Sequence, residues 1–268
     1  MKKLILLAAL AFAISLSTPA RAHDTWLIPD QFRLAPKATV TLDITSGMEF
    51  PKLDVGPKPD RVPSVKCRLA GTTVDITDKS AVTGALRFKG DLSEVGVATL
   101  WVTSQPRTID LKSGDVEHYF EEISASEALR KQWAEMKEPR RWRETYTKHS
   151  KTFVRVGEPK DDRSWAEPAG TGLEIVPEKD PTALRPGDEF PVRVLRNGKP
   201  LPEFALNAVA AGEVKGETHR TDADGRVTFM LAKAGRWLLR GTDIRKATGA
   251  DADWESDFAT LTLEVETK

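Results

Sequence analysis

The feature that most constrains the fold is a series of short alternating segments between residues 173 and 265, separated by turn residues. Apolar and polar residues alternate along them with a period of two, the pattern of a strand with one buried face. Asn197-Gly198 and Asp224-Gly225 have the chemistry of hairpin turns. Seven such strands in about 95 residues predict an immunoglobulin-like sandwich. The predicted strands are 173–176, 189–195, 204–211, 216–221, 226–231, 237–242 and 259–265.

The first half of the chain shows the same period of two. Residues 40–44, 65–69 and 73–76 alternate, and residues 97–102 are almost continuously apolar, as in a strand buried on both sides. Four prolines between positions 50 and 63 predict a loop, because each removes a backbone donor and fixes φ. We therefore predict a mainly β fold with two β-sandwich domains, of which the C-terminal one is immunoglobulin-like.

Residues 113–151 interrupt this pattern and predict a short helical insertion late in the N-terminal domain. The segment 125–136 is rich in helix formers, and Leu129 and Trp133 lie at helical spacing on one face. Serines near its start can cap it. After the break at Pro139, a further helix with an aromatic face is predicted from residues that recur at intervals of four and three: Trp142, Tyr146 and His149.

Residues 158–172 contain prolines, glycines and a charged run, a composition that predicts an exposed linker. We place a domain boundary there. The N-terminal β-domain then covers residues 23–157, with its helical insertion at about 113–151, and the immunoglobulin-like domain covers residues 173–268.

The first 22 residues have the three parts of an export signal. Lys2 and Lys3 precede an apolar run over residues 4–16, and Ala20-Arg21-Ala22 fits a small-x-small cleavage site. The run is shorter than the roughly 20 residues that span a bilayer, and no other run of spanning length follows. We expect a signal peptide over residues 1–22 and a soluble periplasmic product, with no membrane insertion after cleavage.

Charge and cysteine content exclude several classes of function. Removal of the signal leaves 37 basic against 40 acidic residues, so nothing favours binding to nucleic acid or to an anionic membrane surface. Cys67 is the only cysteine, which excludes an intramolecular disulfide, and its alternating stretch predicts a small buried residue. Nucleophile elbows, metalloprotease motifs and phosphate-binding loops are absent. The sequence therefore predicts no enzyme, with no catalytic residue and no organic cofactor.

Cleavage at the predicted site makes His23 the first residue of the mature protein. Its α-amino group and imidazole could then chelate a borderline transition metal in a five- or six-membered ring. The adjoining Asp24 could add an oxygen ligand. A polar pair at a new terminus is equally compatible with simple solvation, so both interpretations stay open on these residues alone.

The chain resembles a known family along its whole mature length. Five segments carry the resemblance, in chain order: His23-Asp24-Thr25-Trp26-Leu27, residues 146–157, Ala183-Leu184-Arg185-Pro186-Gly187-Asp188, residues 221–229 and Ala259-Thr260-Leu261-Thr262. Together they look like the DUF4198 family of exported bacterial proteins, which are related to nickel and cobalt uptake components of the NikM type. The resemblance implies a periplasmic metal-handling protein whose ligands include His23 and Asp24. Where some relatives have a further histidine, this chain has Thr242 and Asp243.

The remaining histidines are His118, His149 and His219. His118 and His219 are candidates to complete a metal site with His23, although each alone is typical of a surface histidine. His149 is expected to pack or to lie near a helix C-terminus. We predict a protein that binds nickel, cobalt or copper and works with a membrane transporter component. The alternatives are an interaction module that binds a protein or glycan without metal and, less favoured, an oxidative copper enzyme.

Overall fold

The structure, a computed structural model, describes residues 23–159 and 162–267. The predicted signal peptide lies outside the described residues. Within them the protein is mainly β, as predicted. The first half contains β1 (Asp24–Pro29), β2 (Arg33–Leu34), β3 (Ala38–Gly47), β4 (Val65–Leu69), β5 (Thr72–Ile76), β6 (Asp78–Val82), β7 (Ala85–Leu92), β8 (Gly96–Thr103), β9 (Arg107–Leu111), α1 (Val116–Glu122), α2 (Glu127–Ala134) and β10 (Trp142–Val156). The second half contains β11 (Leu173–Pro177), β12 (Asp188–Arg196), β13 (Lys199–Pro200), β14 (Ala205–Ala210), β15 (Glu217–Arg220), β16 (Arg226–Leu231), β17 (Gly235–Lys246) and β18 (Trp254–Val265).

Two sheet layers enclose the first hydrophobic core. One layer has the strand order β1-β3-β7-β6, and it packs against β8, β4 and the end of β10. The period-two pattern turns one face of each strand inward, so that Leu42 and Phe88 from one layer lie in the same core as Leu100 and Val154 from the other. Cys67 is 1% exposed in this core, which confirms the expectation of a small buried residue.

The second core lies between two further layers. β11, β12 and β13 form one layer, with β16 also paired to β12, and they face β15, β14, β17 and β18. Phe190 and Phe229 from the first layer and Leu261 from the second are buried together. All seven strands predicted between residues 173 and 265 are present. At the predicted hairpin turn, Asn197 and Gly198 have positive φ values of 49° and 76°, which this turn requires.

β10 and β18 join the two sandwiches into one sheet. They run parallel, with Glu144 opposite Trp254 and Thr152 opposite Thr262. The last residues of β10 continue antiparallel to β8, which gives the sheet order β15-β14-β17-β18-β10-β8-β4-β5. Phe153 of β10 packs in the second core. The boundary between two domains therefore stays a prediction, because one sheet runs through both sandwiches.

The helical insertion is shorter than predicted. α1 and α2 are present, and the Ser126 hydroxyl caps α2 by accepting the backbone N–H of Leu129 at 3.2 Å. Leu129 and Trp133 lie buried on one face, as expected. The further helix predicted after Pro139 is wrong, because those residues belong to strand β10. No helix in the described ranges is both long and apolar enough to cross a membrane.

The error at β10 has a simple geometric reason. Trp142 and Tyr146 are four residues apart, a spacing that places two side chains on one side of a helix and also on one side of a strand. Pairing with β9 and β18 decides in favour of the strand. Trp142 is then fully buried, with its ring 4.5 Å from that of Trp254 and 5.7 Å from that of Trp133. Burial of a large apolar side chain contributes about 1.5–3 kcal/mol.

The predicted linker is packed over its second half. Arg68 of β4 donates hydrogen bonds to the carbonyl oxygens of Ser164, Glu167 and Pro168, at 3.0, 2.6 and 3.1 Å. Trp165 is only 6% exposed. The expectation of an exposed linker is therefore wrong for this part, since backbone carbonyls and an aromatic ring fix it to the sheet.

Candidate functional site

A cleft of about 1150 Å³ opens where β1 begins. One wall is the proline-rich loop of residues 55–62, and the other is the segment 104–111, which includes β9. Tyr146 and Lys148 of β10 and Phe258 of β18 also line it. These elements meet at the cleft because β10 pairs with β9 and β18, and β1 packs against β10 and β18. A cleft of this size can bind a small organic ligand.

Lys148 fixes the start of β1 to this cleft. Its Nζ donates to the carbonyl oxygen of His23 at 2.6 Å and to Oγ1 of Thr25 at 2.9 Å. The same Nζ lies 5.7 Å from the ring centre of Tyr146 and 5.5 Å from that of Phe258. Both distances are within the range of cation–π attraction. Lys148 therefore holds His23 in place and presents a positive charge between two aromatic rings.

The charge of Lys148 has no carboxylate within ion-pair distance among the described residues. Burial lowers the pKa of Lys148 to about 8, with the charge of Asp24 opposing this shift and that of Arg61 adding to it. Removing a cation from water disfavours its charged form unless an anion lies nearby. This cleft therefore contains a cation whose charged form a bound anion would stabilise.

Arg61 places a second cation beside Tyr146. Its guanidinium lies 5.4 Å from the centre of the Tyr146 ring, and one of its nitrogens donates to the carbonyl oxygen of Gln105 at 2.7 Å. The backbone N–H of Gln105 donates in return to the carbonyl of Arg61 at 2.8 Å. Lys58 and Arg107 line the same cleft, whose acidic lining consists of two aspartates, Asp60 and Asp110. Its described lining is therefore rich in positive charge.

A buried carboxylate supports the inner side of the cleft. Glu144 accepts hydrogen bonds from the Tyr119 hydroxyl at 3.0 Å, from Trp142 Nε1 at 2.7 Å and from the Ser256 hydroxyl. Burial raises the pKa of Glu144, although these three donors stabilise its ionised form. Tyr119 also lines the cleft. The network fixes the orientation of this ring, since three donors meet one carboxylate.

The structure separates the two adjacent residues of the predicted metal site. His23 lines the cleft and is partly buried. Asp24 instead forms an ion pair with Arg240 and lines a different cavity of about 180 Å³. Burial raises the pKa of Asp24, and Arg240 opposes that shift. The cause of the separation is the strand geometry of β1, because successive side chains of a strand point to opposite faces.

The other two predicted ligands lie elsewhere. His118 on α1 is exposed, and its Nε2 lies 3.2 Å from a carboxylate oxygen of Glu122. His219 on β15 pairs with Glu217 at 2.5 Å and stacks on the ring of Phe229 at 5.1 Å. Within residues 23–159 and 162–267, no three His, Cys, Asp or Glu side chains form a group that could hold a metal ion. The predicted ligand set is therefore not assembled in one place.

His149 is buried within β10, so its expected position near a helix C-terminus is wrong, while its expected packing is confirmed. Its Nε2 lies 2.8 Å from an oxygen of Asp257 and its Nδ1 lies 3.1 Å from Oγ1 of Thr103. Burial acts to raise the pKa of Asp257, but hydrogen bonds from His149 and Arg245 bring it below its ordinary value. This cluster holds β10 to β18.

The fold and the cleft define a class of protein: a β-sandwich protein whose first strand borders a cleft of ligand size. The chain belongs to the family described as Domain of unknown function (DUF4198), which matches residues 20–242. This match confirms the family resemblance. It does not extend to the implied link with nickel and cobalt uptake components. No curated protein is found to match the chain.

Three solved structures show how distant the structural similarity is. The chain is similar to the D0-D1 domain of intimin at 13% identity and a TM-score of 0.21, covering 89% of this chain and 97% of that one. Its identity to trypsin-activated alpha-2-macroglobulin from Escherichia coli is 13% and the TM-score is 0.24, over 92% of this chain and 16% of that one. Its identity to murine CEACAM1b is 9% and the TM-score is 0.21, over 91% of this chain and 99% of that one. Similarity at this level carries no argument about function.

Proposed function

We propose that this protein is a periplasmic binding protein for a transition-metal ion, nickel or cobalt, with copper also compatible. His23 anchors the ion after signal cleavage, and the protein passes the ion to a membrane transporter component rather than catalysing a reaction. The observation that carries the proposal is the position of His23, the predicted first mature residue, on the lining of the cleft.

The contacts of His23 support this assignment. Lys148 holds its carbonyl oxygen, so the residue that precedes β1 is held against the cleft. A fixed backbone keeps the α-amine and the imidazole close to chelating geometry, which reduces the entropy lost on binding. Nickel and copper accept such nitrogen donors in tetragonal sites.

The fit of the protein to the metal is partial. His23 supplies two nitrogen donors once the preceding peptide bond is cut, whereas Asp24 is paired with Arg240 and the histidines 118 and 219 are bound to glutamates. The proposal therefore rests on His23 alone. The other three predicted ligands are not required.

Calorimetric titration tests this proposal on protein that begins at His23. We expect binding of nickel, cobalt or copper that is weakened when one alanine precedes His23, because the extension turns the α-amine of His23 into a peptide amide and moves the terminal amine away from the imidazole. His23→Ala is expected to weaken binding at least tenfold, while His118→Ala and His219→Ala serve as controls that leave it unchanged. Binding of all three metals weaker than roughly 10 μM, about −7 kcal/mol, would rule out the proposal.

The second candidate is the interaction module that binds a protein or glycan without metal. The specific observation in its favour is the cationic and aromatic lining of the cleft, with Arg61 and Lys148 beside Tyr146. Such a surface suits acidic groups on a partner. A cleft that binds acidic ligands equally well with and without the alanine extension, and with no metal present, would favour this candidate.

A further inference from the structure

Lys148 has donor capacity that the described part of the chain does not use. An ammonium group carries three N–H donors. Two of those of Lys148 point to uncharged acceptors, the carbonyl oxygen of His23 and the hydroxyl of Thr25. Asp24, whose charge acts on Lys148, is itself paired with Arg240. The third N–H of Lys148 and its positive charge are therefore available to a ligand in the cleft.

Arg61 brings a second cation to the same ring of Tyr146. Its guanidinium lies 5.4 Å from the ring centre, and Nζ of Lys148 lies 5.7 Å from it. The donors of Arg61 reach the carbonyl oxygen of Gln105 at 2.7 Å and the hydroxyl of Tyr146 at 3.4 Å, neither of which is charged. Burial lowers the pKa of Lys148 to about 8, and the charge of Arg61 adds to this shift, so the two cations repel each other. An anion beside both of them would offset this repulsion.

The rest of the described lining favours an anion that has an apolar body. Four basic residues line the cleft, against two exposed acidic ones: Lys58, Arg61, Arg107 and Lys148, against Asp60 and Asp110. Phe258, Val55 and Ile109 add aromatic and aliphatic surface. Val55 is 54% exposed, so this apolar surface is open to a ligand. A carboxylate forms charge-assisted hydrogen bonds with lysine and arginine, whereas the hydroxyl groups of a sugar would lack polar partners against these apolar side chains.

We propose that the cleft binds a small organic acid, a carboxylate carried on an aromatic or aliphatic body. The carboxylate pairs with Lys148 and Arg61, and the body lies against Tyr146, Phe258 and Val55. A cleft of about 1150 Å³ has room for such a ligand. The site needs neither a metal ion nor a free α-amine at His23, so this inference is independent of the proposed metal function.

Calorimetric titration of metal-free protein with 2-naphthoate tests this inference. The controls are 2-naphthamide, a neutral ligand of the same shape, and acetate, a carboxylate without the body. We expect 2-naphthoate to bind with a Kd below roughly 1 mM, at least tenfold more tightly than either control. The alanine extension before His23 should leave this affinity unchanged.

Arg61→Gln is expected to weaken the binding of 2-naphthoate at least tenfold, because it removes one partner of the carboxylate. Arg130→Gln is the matched control. The guanidinium of Arg130 also lies 5.4 Å from the centre of an aromatic ring, that of Phe120, but outside the cleft. This variant should bind 2-naphthoate like the parent, and thermal unfolding of both variants checks that they fold.

Several results would overturn the inference: equal affinity for 2-naphthoate and 2-naphthamide, unchanged affinity in Arg61→Gln, or a Kd for 2-naphthoate weaker than roughly 1 mM. Trigalacturonate presents the same carboxylate on a sugar. Tighter binding of trigalacturonate than of 2-naphthoate overturns the apolar body and favours the glycan-binding module instead. Binding of 2-naphthoate by a protein that does not bind nickel supports this inference while the metal function fails, and the reverse result overturns this inference alone.

Discussion

Lys151 and Glu174 form a buried ion pair that holds β10 against β11. They are 5% and 2% exposed, and Lys151 also donates to the carbonyl oxygen of Ile175 at 3.2 Å. Glu174 also accepts the backbone N–H groups of Ala169, at 2.5 Å, and Gly170, at 3.0 Å. Burial lowers the pKa of Lys151, and the charge of Glu174 opposes this shift. The carboxylate is therefore what stabilises the lysine cation in this position.

Glu174→Gln is expected to lower the free energy of unfolding by about 3–5 kcal/mol, because breaking a buried pair leaves an uncompensated charge. The double variant Lys151→Met with Glu174→Gln should recover part of this loss, since it removes the charge and its amide oxygen still accepts one of the two N–H groups. Asp75→Asn is the matched control. Asp75 pairs with Lys66 at the surface, where both side chains are about half exposed, and such pairs contribute at most about 1 kcal/mol.

Urea unfolding followed by tryptophan fluorescence measures these differences from the midpoint and slope of each transition. A loss for Glu174→Gln of less than about 1 kcal/mol, equal to that of Asp75→Asn, would refute the reasoning about buried charge. A double variant as unstable as the single one would show that packing, and not the unpaired cation, causes the loss.

Two further predictions concern titrating groups. Burial raises the pKa of the Cys67 thiol to about 11. We therefore expect no reaction with Ellman's reagent at pH 8 until urea unfolds the protein. Rapid reaction of the folded protein would contradict this prediction. The pKa of Asp257 is lower in the folded state, so its contribution to stability is present above its unfolded pKa, about 3.9, and is lost as the pH falls through the folded value. Asp257→Asn should therefore flatten the acid limb of a plot of unfolding free energy against pH. An unchanged slope would contradict a lowered pKa of Asp257 in the folded state.

Local pattern was sufficient for most of the strands. β4 has the bounds that the alternation of residues 65–69 predicts, and β15 lies within the segment expected between its turn signals. At β10 the local pattern fails, because a spacing of four residues fits a helix and a strand alike. β10 pairs over most of its length with the parallel strand β18, about a hundred residues further along the chain. A single sequence contains no local signal for such a pairing.

The candidate site was predictable only in part. The predicted export signal, and the chemistry that a histidine would have at the terminus left by its cleavage, single out His23 from sequence alone. Arg61 and Lys148 carry no local signal, because their proximity to Tyr146 depends on a loop and a strand that meet only in the folded chain. Asp24 is predicted to join His23, but the structure begins β1 at Asp24, and neighbouring side chains of a strand point to opposite faces.

The sheet shared by both sandwiches determines how the cleft can respond to a ligand. A hinge between the sandwiches would have to break the ladder that joins Glu144 through Thr152 to Trp254 through Thr262. Lys148 and Phe258 of the cleft lie on those two strands. The part of the cleft that these two strands form is therefore in place before any ligand arrives. A ligand that does not fit would have to be accommodated by the loop of residues 55–62, because separating the two strands would break their ladder.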